Sequence, residues 1–367
     1  MERVLESAGR SFLIAGLSPI IAFLLAQAVL AWTLVARHPE LGSAAQFVPF
    51  SGSAMSPTDW VAVVVIGAIV GGSLLIALNG VIIHLYEGLQ PLPPLVIRWW
   101  QRRNERRHDD LYRDVVAIRA MRERAIFDLG RADTENLDTA RLRQIASAEL
   151  SLHDAHARIE HRYPSRPFPM RRELVKATAL GNAYAVLEEY PFERYGIDSM
   201  VFWSRLIAVI PSNYLQSIGD QKTTCDLLLN LSFLSSIVVL EGLLVGSLGT
   251  FRGWILWEAF LFVPIGLLVG YGFYRAAVSE TVVLGKLIGG AFDLYRRALL
   301  RQFGREMPPT LREEREAWRM LAAFIRRGED FYYVDDGSRP AAVPKASTET
   351  ALADGSPGRE RTEAENA

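Results

Sequence analysis

The sequence predicts an all-α, polytopic membrane protein with four transmembrane helices and a helical cytoplasmic domain between the second and third helices. Half of its 367 residues are hydrophobic, and the mean hydropathy is +0.13. Charged residues are nearly absent from four long stretches and dense between them, which is typical of membrane proteins. Arginines cluster beside particular ends of these stretches, and this bias predicts one orientation in the bilayer.

The predicted organisation has five regions. They are residues 1–88 with transmembrane helices 1 and 2 (12–36 and 60–85), residues 89–224 as the cytoplasmic helical domain, residues 225–278 as a hairpin of helices 3 and 4 (227–248 and 254–274), residues 279–334 as a cytoplasmic helical extension, and residues 335–367 as a tail. The tail is rich in Pro, Ser, Glu and Ala with few large apolar residues, so we expect it to be disordered.

The first apolar stretch has two readings. Arg3 and Arg10 precede it, and Ala26-Gln27-Ala28 resembles a signal-peptide cleavage site. However, the stretch is longer than the usual apolar core of a signal peptide, about 7–15 residues. A membrane span needs about 20 apolar residues, so an uncleaved anchor is expected.

Orientation follows from the positively charged residues that flank the spans. The basic residues near span ends are Arg98, Arg102, Arg103, Arg106 and Arg107 after the second span, and Arg275, Lys286, Arg296, Arg297 and Arg301 after the fourth. The loop 38–59 has no Lys or Arg. Both termini and the central domain are therefore predicted to be cytoplasmic. Lys occurs only at 176, 222, 286 and 345, and this preference for Arg indicates a high-GC bacterial genome and thus a bacterial inner membrane.

Composition also excludes several classes of function. A net charge of −1 leaves no excess positive charge for a nucleic-acid partner. A single cysteine, Cys225, rules out an intrachain disulfide and a cysteine-based zinc site. Phosphate-binding P-loops, GxGxxG turns, GxSxG elbows and HExxH helices are missing from the sequence, so no cofactor is predicted and an enzyme is not expected.

Small residues recur four apart in three of the spans. The pairs are Gly67 and Gly71, Gly242 and Gly246, and Gly266 and Gly270. This spacing lets helix backbones approach closely in lipid, and we expect tight packing at these faces. The pattern does not distinguish packing within one subunit from packing between subunits.

The regions outside the membrane show helical periodicity. Stripes of apolar residues predict helices over 111–129 and 142–159, joined as a hairpin, a third helix over 171–189 and another over 311–327. The apolar segment 197–210 is short and contains Asp198 and Arg205, so it predicts a packed helix and not a span. Tyr195-Gly196 predicts a turn.

Four polar residues fall within or beside the spans. They are Asn79, Glu241, Arg252 and Glu258. A carboxylate in a membrane helix usually faces a bundle interior or a cavity with a partner. One interpretation is an ion- or proton-coupled site; the other, which we favour, is a structural pair in which Arg252 neutralises a carboxylate near the interface.

Two surface clusters suggest ligands. Glu149, His153, His156 and Glu160 fall in one arc of a helix, a spacing that suits a transition metal, although a solvated polar face is the more common explanation. The arginines from Arg98 to Arg107, beside Trp99 and Trp100, predict contact with anionic lipid head groups.

Two stretches resemble an uncharacterised group of bacterial multi-pass membrane proteins. The first is Leu78-Asn79 through His84-Leu85-Tyr86-Glu87-Gly88; the second is Leu180-Gly181-Asn182, then Glu193-Arg194-Tyr195-Gly196-Ile197-Asp198, then Trp203-Ser204-Arg205-Leu206. The resemblance implies no known activity. It directs attention to seven polar or aromatic residues, Asn182, Glu193, Arg194, Tyr195, Asp198, Trp203 and Arg205. Our hypothesis is that this segment docks the cytoplasmic domain against the membrane bundle or a neighbouring subunit.

Three functions remain open at this stage. The first is a membrane-anchored scaffold or signalling component whose helical domain binds a cytoplasmic partner or forms a homo-oligomer. The second is an oligomeric ion channel or pore, since the topology is similar to that of bestrophin-type anion channels although their sequence motifs are missing. The third, a metal-dependent enzyme, depends only on the stripe from Glu149 to Glu160. Because the spans offer few polar residues for a pore, the scaffold is ranked first.

Overall fold

The structure, a computed structural model, describes residues 9–10, 12–37, 57–88, 93–131, 168–251 and 257–329, together with helical residues 143, 146–147, 150–151 and 154. Eight helices and no strands lie in the continuous ranges. They are α1 (a π-helical turn, Phe12–Leu17, continuing as Ser18–Arg37), α2 (Pro57–Glu87), α3 (Pro94–Arg131), α4 (Ala179–Tyr195), α5 (Ser199–Leu206), α6 (Ser212–Phe251), α7 (Trp257–Gln302) and α8 (Leu311–Arg327).

Four of these helices, α1, α2, α6 and α7, are long and apolar enough to cross a membrane. The structure thus confirms the predicted all-α, four-span class, with helices α3 to α5 lying between the second and third spans. The predicted spans 12–36, 60–85, 227–248 and 254–274 fall largely within these four helices. The metal stripe, Arg252 and the tail 335–367 lie outside the described residues.

Helices α6 and α7 are much longer than a bilayer requires. At 1.5 Å per residue, the 40 residues of α6 extend about 60 Å and the 46 residues of α7 about 69 Å. The hydrocarbon core is only about 30 Å thick. Half of this hairpin therefore projects beyond the membrane as one pair of continuous helices. Because residues 212–226 are polar, hydropathy predicted that the third span begins at residue 227. It did not predict that the helix is continuous from residue 212.

Close packing of the spans depends on glycine. A Cβ on Gly242 would lie 2.7 Å from the carbonyl oxygen of Ala259, and one on Gly266 would lie 2.7 Å from Cγ2 of Val239. Gly246, Gly270 and Gly71 also face neighbouring helices within 3.4 Å. Gly67 is different, since a Cβ there would meet nothing within 4 Å. Five of the six predicted packing glycines thus lie at contacts within one subunit.

The domain core lies beside the projecting half of the α6–α7 hairpin. Phe202 of α5, Phe292 of α7 and Trp318 of α8 are fully buried there, and the rings of Phe202 and Trp318 meet edge to face at 5.1 Å. A second cluster joins Leu180 of α4 to apolar residues of all four spanning helices. Helix α4 therefore links the two cores.

The third predicted helix was placed too early. Residues 171–178 contain only a short 3₁₀ turn, Arg172–Leu174, and α4 begins at Ala179. The side chain of Thr178 accepts a hydrogen bond from Gly181 N and so caps the helix at its N-terminus. Gly196, with φ of 72°, ends the helix in the left-handed region that favours glycine, which confirms the predicted turn at Tyr195-Gly196.

Candidate functional site

The junction between the membrane helices and the domain contains the residues that drew attention in the sequence. Its centre is the extended segment 168–178, whose backbone groups need partners because the segment forms no continuous helix. Polar side chains from one face of α3 supply several of them. Nδ2 of Asn104 donates to the carbonyl oxygens of Lys176 and Ala177 at 2.9 and 2.8 Å, and Tyr112 donates to that of Phe168 at 3.0 Å.

Helix α4 holds the same segment from the other side. Oδ1 of the buried Asn182 accepts a 2.7 Å hydrogen bond from Lys176 N. Glu189, only 4% exposed, accepts from the backbone nitrogens of Met170 and Arg171 at 2.7 and 3.1 Å, and from Nε of Arg171 at 2.9 Å. These bonds compensate a buried carboxylate and fix the path of the segment.

The two sequence stretches 78–88 and 180–206 meet at this junction. A Cβ on Gly181 would lie 2.7 Å from the carbonyl oxygen of Glu87, so the first turn of α4 packs directly on the last turn of α2. Gly88, with φ of 78°, directs the chain away from that contact. The hydroxyl of Tyr86 shares a 2.8 Å hydrogen bond with Ser232 of α6. Close backbone approach therefore explains the glycine at 181, and a positive φ explains the glycine at 88.

The second half of the motif contacts α7 and α8. The hydroxyl of Tyr195 donates to Asp293 at 2.7 Å. The carbonyl oxygens of Glu193 and Arg194 accept hydrogen bonds from the guanidinium of Arg315, at 2.9 and 3.1 Å. These contacts attach the end of α4 to the projecting part of α7 and to α8.

The remaining motif residues organise α5. Asp198 accepts a hydrogen bond from Val201 N at 3.3 Å, which caps the helix, and it also pairs with Arg326 of α8. Arg205 donates to the carbonyl oxygen of Val201, and the ring of Trp203 lies 6.1 Å from that of Phe292. Asp198 and Arg205 thus have different partners.

A buried charge network completes the junction. Nε of Arg296 lies 2.9 Å from Oε1 of Glu314, which is only 3% exposed, and the guanidinium lies 4.0 Å above the ring of Tyr195. Trp318 donates to the same carboxylate oxygen at 3.3 Å. Burial and the hydrogen bond to Asp293 raise the pKa of Tyr195 to about 12.

The sequence did not identify Asp293, Arg296, Glu314 or Arg315 as residues of this junction. One signal was available for Glu314: it lies on the same helical stripe as Ala317, Trp318 and Leu321, all buried. A carboxylate on an apolar stripe indicates a buried partner. No sequence pattern marks the other three residues, because their partners lie on helices that are distant in the chain.

The structure describes three of the four polar candidates of the spans. Nε2 of Gln27 on α1 donates to Oε2 of Glu241 on α6. Glu258 is buried at 7% exposure, while Arg252 lies outside the described residues, so the predicted pairing with Arg252 stays a prediction. Oδ1 of Asn79 is buried and has no hydrogen-bond partner among the residues that the structure describes.

Two further polar residues lie inside the bundle near the junction. Asn230 donates to the carbonyl oxygen of Ala15 in the π-helical turn at 2.8 Å, and Asp226 pairs with Lys222 at 2.6 Å. Glu149, His153, His156 and Glu160 lie outside the described part of the chain, and within that part no group of three metal-binding side chains occurs. Comparison with protein-family models, curated proteins and solved structures found no match to this chain.

Proposed function

We propose that this chain is a membrane-anchored scaffold or signalling component whose helical domain binds a partner protein or a second copy of itself. The observation that carries the proposal is the continuity of α6 and α7 from the membrane into the domain. Helices α4, α5 and α8 all pack on the projecting part of this hairpin. A load on the domain therefore reaches the membrane helices through rigid backbone and not through a flexible linker.

The proposal includes a location. Arginine-rich α3 and the basic residues of α7 at 275, 286, 296, 297 and 301 flank the spans on the side of the domain. Positive residues near short loops favour the cytoplasmic face, so the domain and both termini are assigned to the cytoplasm of a bacterial cell, with the spans in its inner membrane. The partner would accordingly be cytoplasmic.

Exposed apolar residues of the domain supply a place to test for a partner. Met200 on α5 is 74% exposed and Leu294 on α7 is 64% exposed. A photo-crosslinking residue at either position in the full chain, expressed in membranes, is expected to give a discrete protein adduct. Leu268, 74% exposed within the α7 span, is the matched control and is expected to contact lipid alone. No adduct from either domain position would contradict the proposal.

A second candidate function is an oligomeric ion channel, and one observation favours it. The hydrogen bond between Gln27 and Glu241 places a carboxylate at a helix contact inside the membrane. Intramembrane carboxylates often mark ion pathways. Purified protein in vesicles would then conduct a cation, and Glu241→Gln would abolish the flux while Glu316→Gln, on the exposed face of α8, would not. Vesicles without protein-dependent flux would exclude this candidate.

A further inference from the structure

A cavity of about 710 Å³ opens at the junction between α3 and the domain-side ends of α2, α6 and α7. Its volume falls within the range of about 300–1,000 Å³ that is usual for small-molecule sites. One end is polar, with Arg103 and Arg107 from α3 and Arg275 from α7. The other end is apolar and extends along α6 and α7 into the membrane segment. The cavity therefore combines a cationic mouth with a hydrophobic interior.

Among the described residues, no acidic side chain neutralises the charge at the mouth. No Asp or Glu lines the cavity among the described residues, and neither Arg107 nor Arg275 forms an ion pair there. The acidic neighbours Glu105 and Asp109 are paired with Arg172, at 3.7 and 3.1 Å. Arg103 and Arg107 are also four apart on one helix, where like charges repel. A bound anion would relieve that repulsion.

The apolar end follows the surface of a spanning helix. Phe233, Ser236 and Leu240 lie on one face of α6, and Leu240 is 59% exposed. The eight residues from Phe233 to Leu240 cover about 10 Å along the helix axis. Tyr271 of α7, 57% exposed, lines the same wall. In a bilayer this wall faces hydrocarbon, and the arginines lie at its polar edge.

We propose that this cavity binds one anionic phospholipid. The head-group phosphate is held by Arg103, Arg107 and Arg275, whose guanidinium groups bind phosphate oxygens through paired hydrogen bonds. One acyl chain lies along Phe233 and Leu240. The site explains why the arginine run of α3 is placed beside a membrane helix, and it holds whether the protein is a scaffold or a channel.

The test uses the full chain in a neutral detergent, with native mass spectrometry of added phosphatidylglycerol and phosphatidylcholine. Phosphatidylglycerol is expected to bind in a saturable one-to-one complex and phosphatidylcholine more weakly. Each arginine near a lipid surface contributes about fivefold in affinity. The triple variant Arg103→Gln, Arg107→Gln and Arg275→Gln is thus expected to lose phosphatidylglycerol affinity on the order of 100-fold.

The matched control removes three exposed arginines of the same helix that do not line the cavity: Arg98→Gln, Arg102→Gln and Arg106→Gln. It should leave the affinity within about twofold, since these side chains do not line the cavity. Equal losses in both triple variants would show that binding depends on general positive charge and would overturn the proposal. So would equal binding of the two lipids.

A second variant tests the acyl-chain end without changing charge. Ser236→Trp fills the cavity wall beside Phe233 and is expected to weaken phosphatidylglycerol at least about tenfold, by blocking burial of the chain. In a separate experiment, inorganic phosphate is added as a competitor of the lipid. If millimolar phosphate displaces the lipid completely, or if Ser236→Trp binds lipid normally, the site is a free-anion site and the proposal fails. The unfolding temperature in lipid-free detergent confirms that each variant is folded.

Discussion

The hydroxyl of Tyr195 donates a 2.7 Å hydrogen bond to Oδ1 of Asp293, across 98 positions of the sequence. Tyr190 donates to the same carboxylate at 2.9 Å, and Arg296 lies over the ring of Tyr195. One carboxylate on the projecting part of α7 thus accepts hydrogen bonds from two tyrosine hydroxyls of α4. The C-terminal end of α4 is attached at this point to the helix that continues into the bilayer.

Tyr195→Phe is expected to destabilise the protein by about 1 kcal/mol, because the bond to a charged acceptor is lost at a half-buried site. The destabilisation should also depend on pH. The folded-state pKa of Tyr195 is raised to about 12. The stabilisation is therefore complete below the unfolded pKa, about 10, and is lost as the pH rises toward 12.

Thermal unfolding in detergent at pH 8, 10 and 11.5 measures this dependence. Tyr295→Phe is the control, since the hydroxyl of Tyr295 forms no hydrogen bond within the described ranges. A stability difference between wild type and Tyr195→Phe that stayed constant through pH 11.5 would refute the pH dependence.

Arg296→Met should destabilise the protein more than Tyr195→Phe does. It leaves Glu314, 3% exposed, without its cation, and an uncompensated buried charge costs about 3–5 kcal/mol. The exposed neighbour Arg297 provides the control, and Arg297→Met should change the unfolding temperature little. Adding Glu314→Gln to Arg296→Met should restore part of the loss. Equal effects of the two single variants would contradict a buried ion pair.

Gly181→Ala tests the contact between α2 and α4. The new methyl group would lie 2.7 Å from the carbonyl oxygen of Glu87 and 2.8 Å from Cβ of Lys176. Overpacking of this kind costs about 1–3 kcal/mol. Gly219→Ala, where a Cβ meets nothing within 4 Å, should instead stabilise α6 by about 0.5–1 kcal/mol. Unfolding temperatures that shift in the same direction for both variants would be inconsistent with this packing.

Gly266→Ala and Gly67→Ala test whether the glycines of the spans pack within one subunit. At Gly266 the methyl group would meet Cγ2 of Val239 at 2.7 Å, so a loss of about 1–3 kcal/mol is expected. At Gly67 it would meet nothing within 4 Å. Gly67→Ala should therefore not destabilise a monomer and, like Gly219→Ala, should stabilise its helix slightly. If Gly67→Ala instead lowers the mass of the protein–detergent complex, Gly67 packs between copies of the chain and its contacts are not all within one subunit.

Prediction from the sequence succeeded where the physical cause is local. A span of about 20 apolar residues must form a helix because lipid offers no partners for backbone groups, so the four spans could be predicted from composition alone. Gly196 ends α4 because only glycine readily adopts its positive φ, and that turn was also predicted. The start of α4 was misplaced because a cap at Thr178 has a weaker signal than an apolar stripe.

The sequence by itself determined the class of the protein: an all-helical chain with four helices able to span a membrane and a helical region between the second and third. Only the tertiary structure decided that α6 continues into the domain, that Asn182 and Glu189 hold the segment beside α3, and that Tyr195 contacts Asp293 and Arg296. The physical reason is the distance along the chain over which each interaction acts. Hydropathy and capping act over a few neighbouring residues, whereas the partner of a buried polar group is set by which helix faces meet. For Tyr195 and Asp293 those faces are 98 residues apart in the chain.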